Sequence, residues 1–569
     1  MIGTLRRGLS ITGRAFEFLS REVRGMHAAA YILGFSSLLS SLLALLRDRL
    51  LAHTFGAGIE LDLYYAAFRI PDLLFVAIGA LVSAYVLIPV LATRDETGQH
   101  RYIDAVVVGF SILAISASAL AALAAPWLLG WFFPSLAAGA TFPTLILLTR
   151  ILLLQPIFLG FSNILAAVTQ SRHRYALYAA APIVYNVGII LGIILLYPFF
   201  GLAGVAWGVV LGALLHALIQ VPSVIRDGFL RVEPLRAELW VIFDTVRISF
   251  PRALALSMNQ LAFLGLLIIA SSLTTGSISI FMFAFNLQAV PLAIIGASYS
   301  VAAFPTLATL SRNGSDEFMS YVATAARHVL FWSMPVLMLI IVLRAHVVRV
   351  VLGSGEFNWI DTRLTAAALA LFAISLAAQG IMLLLVRAYY ASGKTLVPLV
   401  VSGASALAAI LLGLLFLGAF DDPSALTFIE ALLRVEFIRG TEILALPLAY
   451  SMASLLGIVI LAIHFEFSNR GFFVSVGRAF GESITAAFVG AVAAYGTLVV
   501  LGTVTFSSTL ASVLMRGGVA GLVGLLATAI AYALLGSREF SETVQSLSRR
   551  VWRNVEPVSS AEATDVSRA

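Results

Sequence analysis

Long apolar stretches alternate with short polar breaks from about residue 28 to about residue 536. A helix that spans a membrane needs about 20 mostly apolar residues, and by this length the chain holds about 14 spans. The pattern therefore predicts an all-α polytopic membrane protein, whereas a β-barrel would show short segments of alternating polarity. The predicted spans centre near residues 37, 78, 118, 152, 187, 213, 258, 294, 335, 377, 407, 453, 490 and 524.

The composition excludes an ordinary soluble domain and a disordered chain. Of the 569 residues, 60% are hydrophobic and only 11% are charged, whereas soluble domains carry about 25% charged residues and disordered chains are poor in apolar ones. The formal net charge of +6 is small and spread over many loops, which fits membrane topology better than nucleic-acid binding. The chain contains no cysteine, which excludes disulfides and thiolate metal sites.

The distribution of basic residues predicts the orientation in the membrane. With a cytoplasmic N-terminus, every even-numbered polar break is also cytoplasmic, and these breaks, residues 1–27 and the tail all carry arginine or lysine. Only the segment at about 421–440 departs from this pattern, because it carries basic residues on the other side. Basic loops favour the cytoplasmic side, so we predict that both termini are cytoplasmic. The opposite loops without Lys or Arg lie near 133–142, 199–203, 273–278 and 503–509.

An internal repeat accounts for most of the spans. The segment from Phe68 to Thr93 resembles that from Phe285 to Thr309, and the segment from Gly160 to Tyr175 resembles that from Gly380 to Thr395. The two offsets nearly agree, and the matches include proline and polar positions. They predict a duplicated six-helix unit whose copies are parallel. Two parallel lobes in turn predict a central cavity and transport by rocking of the lobes.

This organisation predicts successive segments with defined boundaries. Within them, the spacing of Gly204, Gly208 and Gly212 predicts close helix packing. The outer insertion at about 421–440 is predicted to hold a short amphipathic helix from Thr427 to Arg439, and the stretch at 546–553 either lies on the inner leaflet or belongs to a solvated tail. The segments are a basic cytoplasmic N-terminus at 1–27, an N-lobe of helices 1–6 at 28–228, a C-lobe of helices 7–12 at 238–466, helices 13–14 at 475–536 and a cytoplasmic tail at 537–569.

Ionisable residues gather at the end of the first span and the start of the second. Arg47, Asp48 and Arg49 are followed by Asp62 and Arg69. A charge inside a span costs about 2.5–3.5 kcal/mol on insertion scales, so such residues usually face a cavity or a partner. One interpretation is a cavity for an anionic ligand, because arginine forks suit phosphate. The other is an internal salt-bridge cluster of Arg47, Asp48, Asp62 and Arg69 that fixes the two helices.

Other chemistry is not predicted. The eight histidines are scattered, without a zinc-binding spacing, and no nucleophile stands beside a base. We therefore predict no enzyme activity, no cofactor and no metal site.

Several short motifs, in order, resemble the MurJ/MviN family. They include LRDRLLAHTFGAG at 46–58 with Asp62 and AFRIP at 67–71, then VLGSGEF at 351–357 and RAYYASGKT at 387–395. The resemblance implies a member of the multidrug/oligosaccharidyl-lipid/polysaccharide exporter superfamily, and family members with two extra C-terminal helices use them to form a hydrophobic groove for a polyprenyl tail. It also implies flipping of the peptidoglycan precursor lipid II across the bacterial cytoplasmic membrane.

The resemblance also implies roles for individual residues. By position, Arg47 matches the family's cavity arginine, Asp48 and Asp62 match its acidic residues, and Arg69 matches a basic one. The family's arginine in the eighth span aligns with Asn286, and another aligns with Ser41. No acidic residue lies within 395–420, where the family's sodium site needs one. The candidate substrate-binding residues are thus Arg47, Asp48, Arg49, Asp62, Arg69 and Asn286.

Three functions remain open from the sequence. The first is a flippase for lipid II, in which Arg47 and Arg69 hold the anionic headgroup. The second is a related exporter of another polyprenyl-linked glycan or amphiphile, which the missing arginines favour. The third is a membrane scaffold without transport. Expected partners are the lipid-linked anionic substrate, the bilayer and cell-wall synthesis proteins, with no nucleic acid.

Overall fold

The computed structural model describes residues 26–79, 82, 87–88, 90–91, 93–230, 254, 257–311, 315–502, 504–505 and 508–552. These residues form helices, turns and loops, with no strand among them. In this part of the chain, ten helices are long and apolar enough to cross a membrane, or eleven if the bent pair Trp359–Ala373 and Leu376–Ala391 is one span. The prediction of an all-α polytopic protein is confirmed.

The N-lobe is built from short and long helices that pack around α7. Its closest helix pairs are α8 with α10, α1 with α8 and α7 with α10. A π-helical turn, Gly192–Leu196, continues α8 into α9. The helices are α1 Met26–Phe55, α2 Ile59–Ala67, α3 Arg69–Gly79, α4 Glu96–Phe132, α5 Pro134–Ala137, α6 Phe142–Leu152, α7 Gln155–Ser171, α8 Tyr175–Leu191, α9 Tyr197–Phe200, α10 Leu202–Leu218 and α11 Val221–Arg226.

The C-lobe follows, and the last helices pack against its long helix α15. A π-helical turn, Ala293–Ala297, joins α13 to α14. The helices are α12 Ser257–Ser271, then α13 Ser277–Leu292, α14 Ser298–Leu310, α15 Ser315–Val351, α16 Trp359–Ala373, α17 Leu376–Ala391, α18 Leu396–Ala419, α19 Pro423–Leu433, α20 Ala445–Ser468, α21 Phe472–Leu501, α22 Leu510–Leu535 and α23 Arg538–Trp552.

Most predicted spans coincide with these helices. The span near residue 335, predicted despite charges at its start, is confirmed as Asp316–Val351. The first predicted span is the 30-residue helix α1. The second and seventh include residues outside the described ranges, so the count of 14 stays a prediction, as do the domain boundaries and the side of each terminus.

Equivalent segments of the repeat make equivalent contacts in the two lobes. In the N-lobe, α3 packs against α7. In the C-lobe, the turn Ala293–Ala297 and α14 pack against α17. These are the segments that the sequence repeat pairs, as duplication predicts.

Glycines bring α8 and α10 into backbone contact. Gly208 lies against Gly192, and Gly212 lies against Gly188, so closely that a Cβ atom at any of the four would overlap the opposing backbone. The predicted close packing of Gly204, Gly208 and Gly212 is therefore confirmed. Small residues allow this approach, which supplies packing energy in a membrane where the hydrophobic effect does not drive helix association.

One prediction for the later part of the chain needs revision. The insertion helix does not run from Thr427 to Arg439. It begins at Pro423, after the N-cap Asp422, and ends at Leu433, because Arg434 takes a left-handed conformation with φ 59° and ψ 45°. Proline favours the first position of a helix, and a left-handed residue ends one.

The tail begins as the helix α23, and both interpretations of the stretch at 546–553 stay predictions. This helix contacts α15 and α22, and the buried Glu539 pairs with Arg327 of α15 at 2.9 Å. Farther along, hydrogen bonding from Arg538 lowers the pKa of Glu542 below its ordinary value. Residues 553–569 lie outside the described ranges.

Candidate functional site

Arg47 and Asp48 form an ion pair that reaches the other lobe. The Nε and Nη2 atoms of Arg47 donate to Oδ1 of Asp48 at 3.0 and 2.8 Å. The Nδ2 atom of Asn286, on α13, donates to Oδ2 of Asp48 at 3.1 Å. Asp48 thus has both oxygens occupied, one by its own helix and one by the C-lobe.

Arg47 is the more accessible member of this pair. Its side chain is 21% exposed, against 5% for Asp48. A third bond, 3.4 Å long, runs from its Nη1 atom to Oδ1 of Asn186 on α8, and Asn186 also donates to Ser40 on α1. The guanidinium is thereby held between two helices of the N-lobe with one side open.

Asp62 binds the beginning of a helix in the opposite lobe. Its carboxylate accepts from the backbone N–H groups of Gly276 at 2.6 Å and Ser279 at 2.8 Å, and from the Ser279 hydroxyl at 2.6 Å. The first N–H groups of a helix have no partner within it, and its dipole favours negative charge there. Asp62 therefore caps α13 from outside the C-lobe.

Arg49 makes the complementary contact with the end of a helix. Its Nη1 atom donates to the carbonyl oxygens of Val350 at 2.7 Å and Val351 at 3.1 Å, in the last turn of α15. A cation is stabilising at this position because the helix C-terminus presents unpaired carbonyl groups and partial negative charge.

Neighbouring loops complete the junction between the lobes. The N–H of Glu356 donates to the carbonyl of His53 at 3.0 Å, and the N–H of Ala57 lies 3.4 Å from Oδ2 of Asp361. A Cβ atom at Gly276 would overlap the carbonyl of Ala57, and Gly276 has φ 92°, so only glycine fits there. We call this junction the interlobe latch: Arg49, His53, Ala57 and Asp62 with Gly276, Ser279, Val350, Val351, Glu356 and Asp361.

Arg69 lies apart from both groups. It is buried, its Nε atom donates to the carbonyl of Tyr65 at 3.1 Å, and its Nη2 atom pairs with Asp72 at 3.2 Å. The six sequence-predicted residues therefore fall into three places: Arg47, Asp48 and Asn286 together, Arg49 and Asp62 in the latch, and Arg69 with Asp72. The single salt-bridge cluster of Arg47, Asp48, Asp62 and Arg69 does not exist as predicted.

Sequence reasoning missed several partners. Asn186 is a lone amide in the apolar run of α8, a feature that often marks a hydrogen bond between membrane helices. Ser279 carries no such signal, since serines are common along the chain. Within the described ranges, no group of three or more His, Cys, Asp or Glu side chains is placed to hold a metal ion.

Comparison of sequences identifies relatives over most of this region. A family model described as "Lipid II flippase MurJ" matches residues 51–422, a range that contains Asp62, Arg69 and Asn286 but begins just after Arg49. The lipid II flippase MurJ of Burkholderia cenocepacia is 27% identical over 371 residues, which cover 62% of this chain and 71% of that protein. A probable lipid II flippase MurJ of Vibrio cholerae is 29% identical over 384 residues, or 64% and 72% of the two chains.

Solved structures share the fold. A lipid II flippase MurJ in an inward closed conformation superposes with a TM-score of 0.70 at 20% identity, covering 89% of this chain and 99% of the other. An inward-facing multidrug resistance MATE family transporter of the MOP superfamily superposes with a TM-score of 0.59 at 15% identity, covering 76% and 96%.

Proposed function

The chain belongs to the MurJ family of lipid II flippases, and from this premise we propose that it moves lipid II from the inner to the outer leaflet of a bacterial cytoplasmic membrane. The observation that carries this proposal is the family match over residues 51–422. The proposed activity is transport and involves no covalent chemistry.

The proposed topology has 14 spans, with both termini in the cytoplasm. Six spans form each lobe, and α21 and α22 are the last two. The interlobe latch then lies at the outer end of the bundle, because α1 and α15 run outward and end there. The arginine-poor loops near 133–142 and 273–278 lie at the same end, which supports this orientation.

Opening of the latch is the proposed step that gives the cargo access to the outer leaflet. Rocking of parallel lobes alternates access to a site between them. The latch holds one end of that path closed through hydrogen bonds to the beginning of α13 and the end of α15. Arg49 and Asp62 are accordingly proposed to control access rather than to touch the substrate.

Arg47 is the proposed contact for the anionic headgroup. It is partly exposed, and its planar fork can bind a phosphate with paired hydrogen bonds. Asp48 is proposed to compete with the headgroup for this guanidinium, and Asn286 is proposed to hold Asp48 from the other lobe. Arg69 is proposed as a secondary site residue that acts only after release from Asp72. The expected partners are the lipid-linked substrate, the bilayer and cell-wall synthesis proteins.

The test is complementation with a direct readout. The chain is expressed in bacteria depleted of their own lipid II flippase, and lipid II in the outer leaflet is quantified, with membrane levels measured by blot. We expect exposure to be restored by the unmodified chain and lost with Arg47→Glu. The matched control Arg478→Glu makes the same charge reversal at a solvent-exposed residue of α21. It should still restore lipid II in the outer leaflet, because surface ion pairs contribute little.

Other outcomes separate the alternatives. A well-expressed chain without lipid II exposure would refute the proposal and favour another polyprenyl-linked cargo or a scaffold. A normal amount of lipid II in the outer leaflet with Arg47→Glu would show that Arg47 does not bind the headgroup, although the chain transports lipid II.

A further inference from the structure

A second polar site lies near the latch end of the bundle, outside the residues described above. A cavity of about 580 Å³ opens between the ends of α15 and α21, the start of α16 and the end of α19. We call it the outer basic pocket. Its polar lining consists chiefly of Arg344, His346, Trp359, Arg363, Arg434 and Tyr495.

Two arginines converge on the end of α19, where Arg434 adds a third guanidinium that donates to the Tyr495 hydroxyl at 3.0 Å. Arg344 donates to the carbonyl of Leu433 at 3.1 Å, and Arg363 donates twice to the carbonyl of Arg434, at 3.2 and 2.6 Å. Capping of the helix end explains these bonds. It does not explain the concentration of charge, because a guanidinium has more N–H donors than these bonds use. The described lining contains no Asp or Glu.

His346 supplies an independent indication that this pocket binds a polar ligand. His346 is only 6% exposed, and neither ring nitrogen has a hydrogen-bond partner among the described residues. Buried polar groups in proteins are nearly always paired. A polar ligand in the pocket would satisfy this ring.

The opposite wall of the pocket is apolar. Leu498 and Val499 of α21 line it, together with Leu432 of α19. Val499 and Leu432 are exposed on the surface of the bundle, where a membrane helix meets lipid tails. Trp359, at the start of α16, also lines the pocket, and tryptophan favours the level of lipid headgroups.

From this combination we propose that the outer basic pocket binds the phosphate headgroup of an anionic membrane lipid, whose tail lies along α21. Arginine forks match phosphate oxygens, while the apolar wall suits a hydrocarbon chain. The site is distinct from the headgroup site at Arg47 and does not depend on the identity of the transported cargo.

Native mass spectrometry of the purified full chain in a neutral detergent tests this assignment. Phosphatidylglycerol is titrated, and its affinity is compared with that of zwitterionic phosphatidylcholine. We expect Arg344→Gln to weaken phosphatidylglycerol binding about tenfold, since one charge-assisted hydrogen bond is lost. Arg344→Lys keeps the charge but loses the fork, so its affinity for phosphatidylglycerol should lie between that of the unmodified chain and that of Arg344→Gln. The matched control Arg150→Gln removes an exposed arginine whose Nε also donates to a carbonyl, that of Ala122 at 3.0 Å, and should leave binding unchanged.

Three results would overturn the proposal. Equal affinity for the two lipids would show that the charge is not recognised. An equal loss in Arg344→Gln and Arg150→Gln would show that binding follows net charge rather than the pocket. Displacement of the lipid by inorganic phosphate at matching concentration would assign the site to free phosphate. If Arg344→Gln fails to fold, unchanged binding by a folded Arg344→Lys refutes the role of the fork.

Discussion

Asp62→Asn should open the interlobe latch without changing the size of the side chain. Asp62 accepts bonds from two backbone N–H groups and one hydroxyl. An amide carries no charge and accepts on only one of its two arms, so all three donors lose a charged acceptor and at least one loses its acceptor altogether. Such a bond is worth about 1.5–3 kcal/mol, which corresponds to a roughly 10- to 150-fold shift toward the open latch.

Thiol labelling measures this shift directly. The chain has no cysteine, so a single introduced cysteine is the only reactive thiol. Ser277 is 1% exposed and lies beside Gly276 at the start of α13, where Ser277→Cys changes little in volume. In lipid nanodiscs, we expect maleimide to label this cysteine at least about tenfold faster when Asp62→Asn is also present.

A second aspartate provides the matched control. Asp95 also caps a helix, accepting from the N–H of Gly98 at 3.3 Å, but this helix, α4, belongs to its own lobe. Asp95→Asn should leave the labelling rate of the introduced cysteine near its original value. An unchanged rate with Asp62→Asn would refute the view that this carboxylate holds the lobes together, and an equal increase with both variants would indicate general destabilisation.

Two further outcomes follow from the packing and from the ion pair. Gly208→Val should lower the thermal unfolding temperature of the purified protein, because the valine side chain would overlap α8 and overpacking costs about 1–3 kcal/mol. Gly477→Val, at a site with no atom near the Cβ position, should leave this temperature unchanged. Equal unfolding temperatures for the two variants would contradict the packing argument. Asp48→Asn should free Arg47 and strengthen binding of a polyprenyl diphosphate about fivefold in native mass spectrometry, since a partly exposed ion pair is worth about 1 kcal/mol. Weaker binding would show that Asp48 orients Arg47 rather than competes with the diphosphate for it.

The arrangement of helices was largely predictable because its signals are local. Apolar length located most spans, and the spacing of Gly204, Gly208 and Gly212 located a close contact, since both depend on neighbours along one helix. The bounds of α19 were not predictable in the same way. The helix ends because Arg434 adopts a left-handed conformation, which an arginine in the sequence does not signal.

The site was harder to predict because its contacts join distant parts of the chain. Sequence analysis identified Arg47, Asp62 and Arg69 as unusual but grouped them by proximity in sequence. In the structure, Asp62 binds Ser279 of the other lobe, while Arg69 pairs with Asp72, three residues away. Only the second kind of contact can be anticipated from helical spacing.

In the proposed mechanism, the charge balance at Arg47 connects headgroup binding with movement of the lobes. Because Arg47 pairs with Asp48, an anionic headgroup can take the guanidinium fork only in competition with that carboxylate. Asp48 is also the acceptor for Asn286 of the C-lobe, so a headgroup that alters its position alters a bond between the lobes. A ligand shifts a conformational equilibrium only through such differential contacts. The Asn286 amide gives Asp48 a neutral contact, which can break at a lower cost than a charged one.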